Sequence, residues 1–435
     1  MSPSTLRRNL RFLYAFQFLR NVQLFGAVTV PFYQRWGRLD YTRMFILEAS
    51  FAAFILLLDV PTGALADRYG RRWSLTLGAL FSGASFVMFG LVRAYPLFFV
   101  ANFVCAVGYA FTSGADQALL YESLLAAGQA DRARHHLSRY QAMASLGILL
   151  GFPAGSWIAG SSLFSTPRAL AFVFILSGIV FALSALPLWL IAEPARAQKV
   201  TDPLREGIEG VKLLLRPGDL RRVALHYVLI SATTFFMLWF YQSLAGEESV
   251  PLRWNGVLGA GLNALALVLL WNATRLERRF GLRPLLYTAA FAPGVLYLAL
   301  GVARPAWIAL PAAFVIVGFK RLRQPLLADL TNQLIASRNR ATVLSGVSML
   351  ERAVIFVLYP LIGLAADRSL GNAFAALGAL TIAFALATRL PETPQPSAAP
   401  AMQLDPLRSD CPTGDGRRPA SDLASATGTS QPRDE

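Results

Sequence analysis

Two cysteines in 435 residues are too few for a disulfide framework, and Cys105 in an apolar run and Cys411 in a polar stretch have no reason to meet. Histidine is as scarce: His135 and His136 read as solvated loop residues and His226 sits near the start of an apolar run, so no metal site is predicted. No nucleotide-binding glycine loop and no nucleophile–base constellation occurs, which argues against an enzyme and against a bound cofactor. Charged residues make up only 15% of the chain. The formal charge of +15 could suggest nucleic acid, but no basic helix interleaved with aromatics is present, so no nucleic-acid partner is expected. A small-residue cleavage site is also missing after Arg7, Arg8 and Arg11, and the apolar stretch that follows reads as a retained helix.

What the chain has in abundance is apolar sequence. The hydrophobic fraction is 55% and the mean hydropathy +0.48. Runs of about 20 apolar residues, the length that crosses a bilayer core, recur from Leu10 to Thr388. Twelve spans are predicted, at 10–33, 44–62, 74–93, 96–122, 140–162 and 168–192, then 223–245, 255–273, 284–303, 306–328, 341–365 and 371–389. Each run is continuous rather than alternating, and backbone polar groups in lipid must be satisfied internally, so the spans are helices. The fold class is an all-α membrane protein embedded in a lipid bilayer.

Charge placement orients it. The N-terminus and alternate loops carry most of the arginines, among them Arg68, Arg71, Arg72, Arg132, Arg134, Arg275, Arg278 and Arg279, whereas the first loop, with Arg35, Arg38 and Arg43, is an exception. Both termini are therefore expected in the cytoplasm. The longest internal loop divides the chain into a first six-helix half at 1–194, a linker at 195–222 and a second half at 223–390. Within the linker, Leu204, Ile208, Val211, Leu214 and Leu215 recur at helical spacing, which predicts an interfacial helix. Residues 391–435 are rich in Pro, Ser, Ala, Asp and Thr and read as a disordered cytoplasmic tail.

The halves resemble each other. Val107-Gly108-Tyr109 matches Val317-Gly318-Phe319, Pro153 matches Pro360, and Arg68-Tyr69-Gly70 is echoed by Arg279-Phe280-Gly281. A parallel duplication places a substrate site between the halves near the bilayer midplane.

Between the second and third spans the chain reads Gly63-Ala64-Leu65-Ala66-Asp67-Arg68-Tyr69-Gly70-Arg71-Arg72. This resembles the second-to-third loop signature of major facilitator transporters, G-x-L-A-D-R-x-G-R-R. In physical terms, Gly63 would let helices approach closely and Gly70 would make the tight turn. Asp67 could face a helix N-terminus, and Arg71 and Arg72 could pair with an acid on another span, Glu122 being the acid expected. The resemblance implies that this cluster latches the halves in one state and breaks in the other. The segments 113–124 and 340–345 resemble a bacterial, efflux-type branch of the same superfamily. Two departures stand out: Val104 occupies the place where proton antiporters of the family carry an arginine, and Gly147, Gly151, Pro153 and Gly155 reproduce only part of their fifth-span run, with proline displaced by Phe152.

Ionisable residues at lipid depth are costly and face a cavity or pair with one another. Gln17, Arg20 and Asn21 in the first span, Arg321 in the tenth, and Glu351 and Arg352 in the eleventh are candidates for a substrate cavity. Asp116 and then Asp59 are candidates for a protonatable switch. The competing reading is a structural network, for example Glu351 with Arg321 or Arg352 with a neighbouring acid. The aromatics Phe235, Phe236, Trp239, Phe240 and Tyr241 serve either packing or a drug-like wall. The expectation is an ion-driven secondary transporter, monomeric, coupled to protons and moving a small organic solute outward across a bacterial inner membrane. Proton-coupled uptake, or a transporter-shaped sensor, are the alternatives.

Overall fold

The computed structural model describes residues 1–162, 165–194, 203–335 and 340–390, which form helices joined by short turns, with no strand among the described residues. In the first half these are α1 (Pro3–Arg20), α2 (Tyr41–Tyr69), α3 (Arg71–Leu91), α4 (Tyr95–Thr112), α5 (Ala115–Ala126), α6 (Ala133–Ala159) and α7 (Thr166–Leu183). Helix α8 (Pro203–Leu214) follows, and then α9 (Asp219–Phe235), α10 (Met237–Glu247), α11 (Asn255–Trp271), α12 (Ala273–Phe280), α13 (Leu282–Val302), α14 (Ala306–Gln333), α15 (Arg340–Arg368) and α16 (Leu370–Ala387). The segments 195–202 and 391–435, which the sequence assigns to the linker and the tail, lie outside the described residues.

Ten segments among the described residues are long and apolar enough to cross a bilayer, against the twelve expected. The two expected spans not among them are the first and the tenth. The first is not one helix: α1 stops at Arg20, and the chain turns through residues 21–28 before short helical turns at Thr29–Pro31 and Phe32–Trp36. Irregular backbone survives at membrane depth only where protein covers it or a cavity meets it. Here α6 covers it: a Cβ on Gly147, Gly151 or Gly155 would fall 2.6 Å from the Phe18 carbonyl oxygen, 2.7 Å from the Gln23 nitrogen or 1.8 Å from the Leu24 carbonyl oxygen. The other is α14, which is continuous but carries Lys320, Arg321 and Arg323 in its second half. Arg323 is fully buried and donates to the His226 carbonyl at 2.9 Å.

The two halves repeat the same packing. Helix α3 lies on α7 and α13 on α16, each pair drawn together at facing glycines. A Cβ on Gly83 would sit 2.7 Å from the Gly178 carbonyl oxygen, and one on Gly378 would sit 2.8 Å from that of Gly294. The turns entering α3 and α13 also match: Gly70 has φ 115° and ψ 147°, and Gly281 has φ 81° and ψ 151°. That backbone region belongs to glycine. Between halves, α2 packs on α15 and α6 on α11. Helix α8 lies against the second half. It docks on α15, where a Cβ on Gly210 would fall 2.0 Å from the Thr342 carbonyl oxygen, and Leu214 is buried.

Candidate functional site

The glycine turn places Arg71 and Arg72 in the first turn of α3. Arg71 Nε donates to Glu122 Oε1 at 2.8 Å, and the Arg71 backbone N–H donates to Glu193 at 2.6 Å. Arg72 donates to the Ile191 carbonyl at 3.2 Å, and the Arg68 guanidinium lies 5.4 Å from the Tyr69 ring centre. The expected Arg71–Glu122 pair is thus formed. Both members belong to the first half, so in this conformation the cluster ties α3 to α5 and to the segment after α7. The side chain of Asp67 lies outside the described residues. Gly63 departs from expectation: a Cβ there would meet nothing within 4 Å among the described residues, so none of them uses it for close approach in this state.

At the opposite end of the bundle the halves are sealed. The backbone N–H groups of Tyr41 and Thr42 donate to the Asp367 carboxylate at 2.7 and 3.0 Å, and the Thr42 hydroxyl donates to the same group. Tyr41 Oη donates to Ser243 at 2.8 Å, and Ser156 Oγ to the Arg253 carbonyl at 2.9 Å. Gln242 accepts from the Val30 N–H and donates to the Gly26 carbonyl, both at 3.0 Å. Just inside this rim, Phe45 packs on Phe236, Phe240 and Tyr359 at centroid distances of 5.4, 5.7 and 5.4 Å. Phe152 is clamped between Gly26 and Gly259, whose Cβ positions would be 2.2 and 2.8 Å from its ring. At the arginine-rich end a concavity of about 690 Å³ is bordered by Ser138 and Gln141 of α6 and Leu267 of α11.

Beneath the seal lies a cavity of about 480 Å³. Gln17, Arg20 and Asn21, at the end of α1, line it as the sequence suggested. Glu48 of α2 also faces it, accepting from Tyr33 Oη at 3.4 Å, and the apolar wall includes Phe86, Phe174 and Trp239. Arg20 lies 3.8 Å from Asp116 and donates to Thr112 Oγ1 at 2.5 Å. Asp116 stands in the first turn of α5, just after Gly114, whose φ of 74° breaks the fourth span. Its carboxylate accepts from the Gln117 N–H at 2.7 Å and from buried Tyr140 Oη at 2.9 Å. Two residues singled out separately, Arg20 and Asp116, are therefore one unit.

An adjoining cavity of about 270 Å³ shares Gln23, Phe25, Thr29 and Trp239 with the first, and Arg321 lines it. Glu351 does not pair with Arg321. It accepts from Ser231 at 2.5 Å and lies 3.5 Å from Lys320 Nζ, while Arg321, one residue on and about 100° round α14, faces the cavity instead. Arg352 lies 3.8 Å from Asp59, bridging the halves beside a third cavity of about 520 Å³. Of the seventh-span aromatics, Phe236 and Phe240 are buried in packing, Phe235 and Trp239 contribute to the wall of the adjoining cavity, and Tyr241 is buried and also borders that cavity. His135 and His136 belong to helix α6 rather than a loop, and His136 Nδ1 bonds Tyr14 Oη at 2.7 Å.

The family model of the Major Facilitator Superfamily matches residues 29–356, three quarters of the chain. The chain belongs to the Major Facilitator Superfamily. It is a multi-pass membrane transporter of that type. Multidrug resistance protein MdtH of Salmonella typhimurium is 25% identical over 226 residues, covering 52% of this chain and 53% of that protein, so the match spans about half the relative's length. A crystal structure of a variant of the nucleoside transporter NupG superposes with a TM-score of 0.72 at 12% identity, covering 87% of this chain and 98% of that one. The D-xylose–proton symporter superposes at 0.69 and 16% identity, covering 89% and 97%. At these identities the likeness to solved structures concerns the fold alone.

Glu48 stands eleven positions, about three helical turns, before Asp59, so the sequence puts both on one face of the second span, and its place near the outer end suits an interfacial residue as well as a carrier. The structure turns it to the cavity. Phe152, noted as a departure from the family's fifth-span run, proves to be a wedge between the halves.

Proposed function

We propose that this transporter exports a small organic solute across a bacterial cytoplasmic membrane by alternating access, driven by protons, with both termini in the cytoplasm. The observation that carries the reading is the one-sided seal over a membrane-depth cavity lined by Arg20, whose guanidinium pairs with Asp116. With the arginine-rich end in the cytoplasm, as its charge requires, the conformation is inward-open. Export is favoured by the half-length likeness to a multidrug resistance protein. The absence of an arginine at Val104 favours uptake by proton symport as the second reading.

In this reading Asp116 is the switch. Protonated, it no longer neutralises Arg20 at 3.8 Å, and the guanidinium becomes available to the cavity it already lines. Proton binding and cavity charge are thereby linked. Asp59 with Arg352 bridges α2 and α15, and the Arg71–Glu122 pair ties α3 to α5 within the first half. The protein works as a monomer.

Flux in proteoliposomes under an imposed proton gradient tests this across a panel of solutes. Asp116→Asn should abolish gradient-driven accumulation and leave solute exchange intact. If Asp116→Asn and Asp59→Asn both retain coupled flux, the proton switch is wrong. Ligand-induced thermal stabilisation with no flux of any solute would indicate a sensor.

A further inference from the structure

The two adjoining cavities contain one acidic and one basic side chain without an ion-pair partner among the described residues. Arg20 is committed to Asp116 and Thr112, Lys320 to Glu351 and Ser231, and Arg352 to Asp59. Glu48 has no cation within ion-pair distance among the described residues, and its hydrogen-bond partner is the Tyr33 phenol at 3.4 Å. Arg321, half-buried in the wall of the adjoining cavity, has no hydrogen-bond or ion-pair partner among the described residues. Between them run the shared walls, with Trp239 and Phe25 in both cavities.

An unpaired charge at membrane depth is expensive unless it faces a water-filled cavity, and such charges mark ligand paths. A carboxylate bordered by tyrosine and phenylalanine rings suits an ammonium, through charge and ring faces together. A guanidinium presents a planar fork that matches a carboxylate or phosphate. The aromatic stretch between them suits an apolar spacer. Gln23, Gln242 and Asn263 add polar groups beside Arg321, which can take up hydrogen bonds the guanidinium leaves open.

We propose that the joined cavities bind a zwitterionic organic solute, its cationic group at Glu48 and its anionic group at Arg321. This rests on the transporter reading of the site and specifies its cargo class. A purely cationic or purely anionic solute would leave one membrane-depth charge unmatched and bind less well.

The test uses the purified full chain and one scaffold, the dipeptide of two phenylalanines, with its amide, its N-acetyl form and its N-acetyl amide. These carry both charges, the positive one, the negative one and neither. Equilibrium binding should favour the free dipeptide over each singly charged form by about tenfold, the size of a charge-assisted contact. Glu48→Gln should erase the advantage over the N-acetyl form alone, and Arg321→Gln the advantage over the amide alone. Arg321→Lys should restore part of the preference, which a merely misfolded Arg321→Gln would not explain. Equal binding of the amide and the free dipeptide overturns the proposal, as does failure to bind any of the four. Exchange of other solutes through a protein that ignores the whole panel would refute the zwitterion site and leave transport standing. Binding in the predicted charge pattern without any flux would keep the site and refute transport.

Discussion

Gly256→Ala should open the sealed end. A Cβ on Gly256 would stand 2.1 Å from the Phe152 carbonyl oxygen and 2.3 Å from Ser156 Oγ, where ordinary contact begins at 3.4 Å. One of these neighbours is backbone and cannot rotate away, so α11 must withdraw from α6 by about 1 Å, and overpacking of this kind costs about 1–3 kcal/mol. The cost falls on the conformation in which α6 and α11 touch, so the equilibrium should move roughly 5- to 150-fold toward a state open at that end. Alanine's helix propensity works in the other direction by at most about 1 kcal/mol. Gly246→Ala, where a Cβ meets nothing within 4 Å, controls for it. The native Cys105 is the reporter, since it lines the cavity and is the sole cysteine once Cys411 is replaced by serine. In the parent protein a membrane-impermeant thiol reagent should reach Cys105 only from the arginine-rich face. In Gly256→Ala labelling from the opposite face should appear, and in Gly246→Ala it should not. One-sided labelling in Gly256→Ala, with an unchanged unfolding temperature, would refute the packing argument.

Gly70→Ala should lower thermal stability, because φ 115° with ψ 147° costs a residue bearing a Cβ about 1–3 kcal/mol. The same change at Gly63, whose surroundings are open, should not, and comparison of the two melting temperatures decides it. Arg71→Gln and Glu122→Gln should each slow transport. In a double-mutant cycle the pair should show a coupling of about 0.5–3 kcal/mol, and additivity would mean that the 2.8 Å contact carries no energy.

The helical class, most of the spans and the glycine turn were legible in the sequence because each depends on local physics. A long apolar run must satisfy its backbone internally, and the turn at Gly70 requires a backbone that other residues resist. The pairing of Arg71 with Glu122 was legible too, since few acids stand at that end of the chain's spans. Other site features were not. Whether Lys320 or Arg321 meets Glu351 depends on the rotation of α14, and adjacent residues of a helix look alike to a pattern of hydrophobicity. Gly63 matched a motif, yet the neighbour that would explain it is absent from this conformation. The first span read as continuous because its apolar content spans the bilayer, and nothing local reveals that α6 presses glycines against its backbone.

By itself, then, the sequence determined that this is a helical membrane protein, where its glycine turns fall and which end carries the arginines. Those are one-dimensional properties, set by residue chemistry and near neighbours. Tertiary structure alone decided that Arg20 and Asp116 form a pair, that Phe152 wedges the halves together, and that Glu48 and Arg321 line adjoining cavities with no ion-pair partner among the described residues. Each of these depends on distances between helices far apart in the chain, which packing sets and which no stretch of sequence contains.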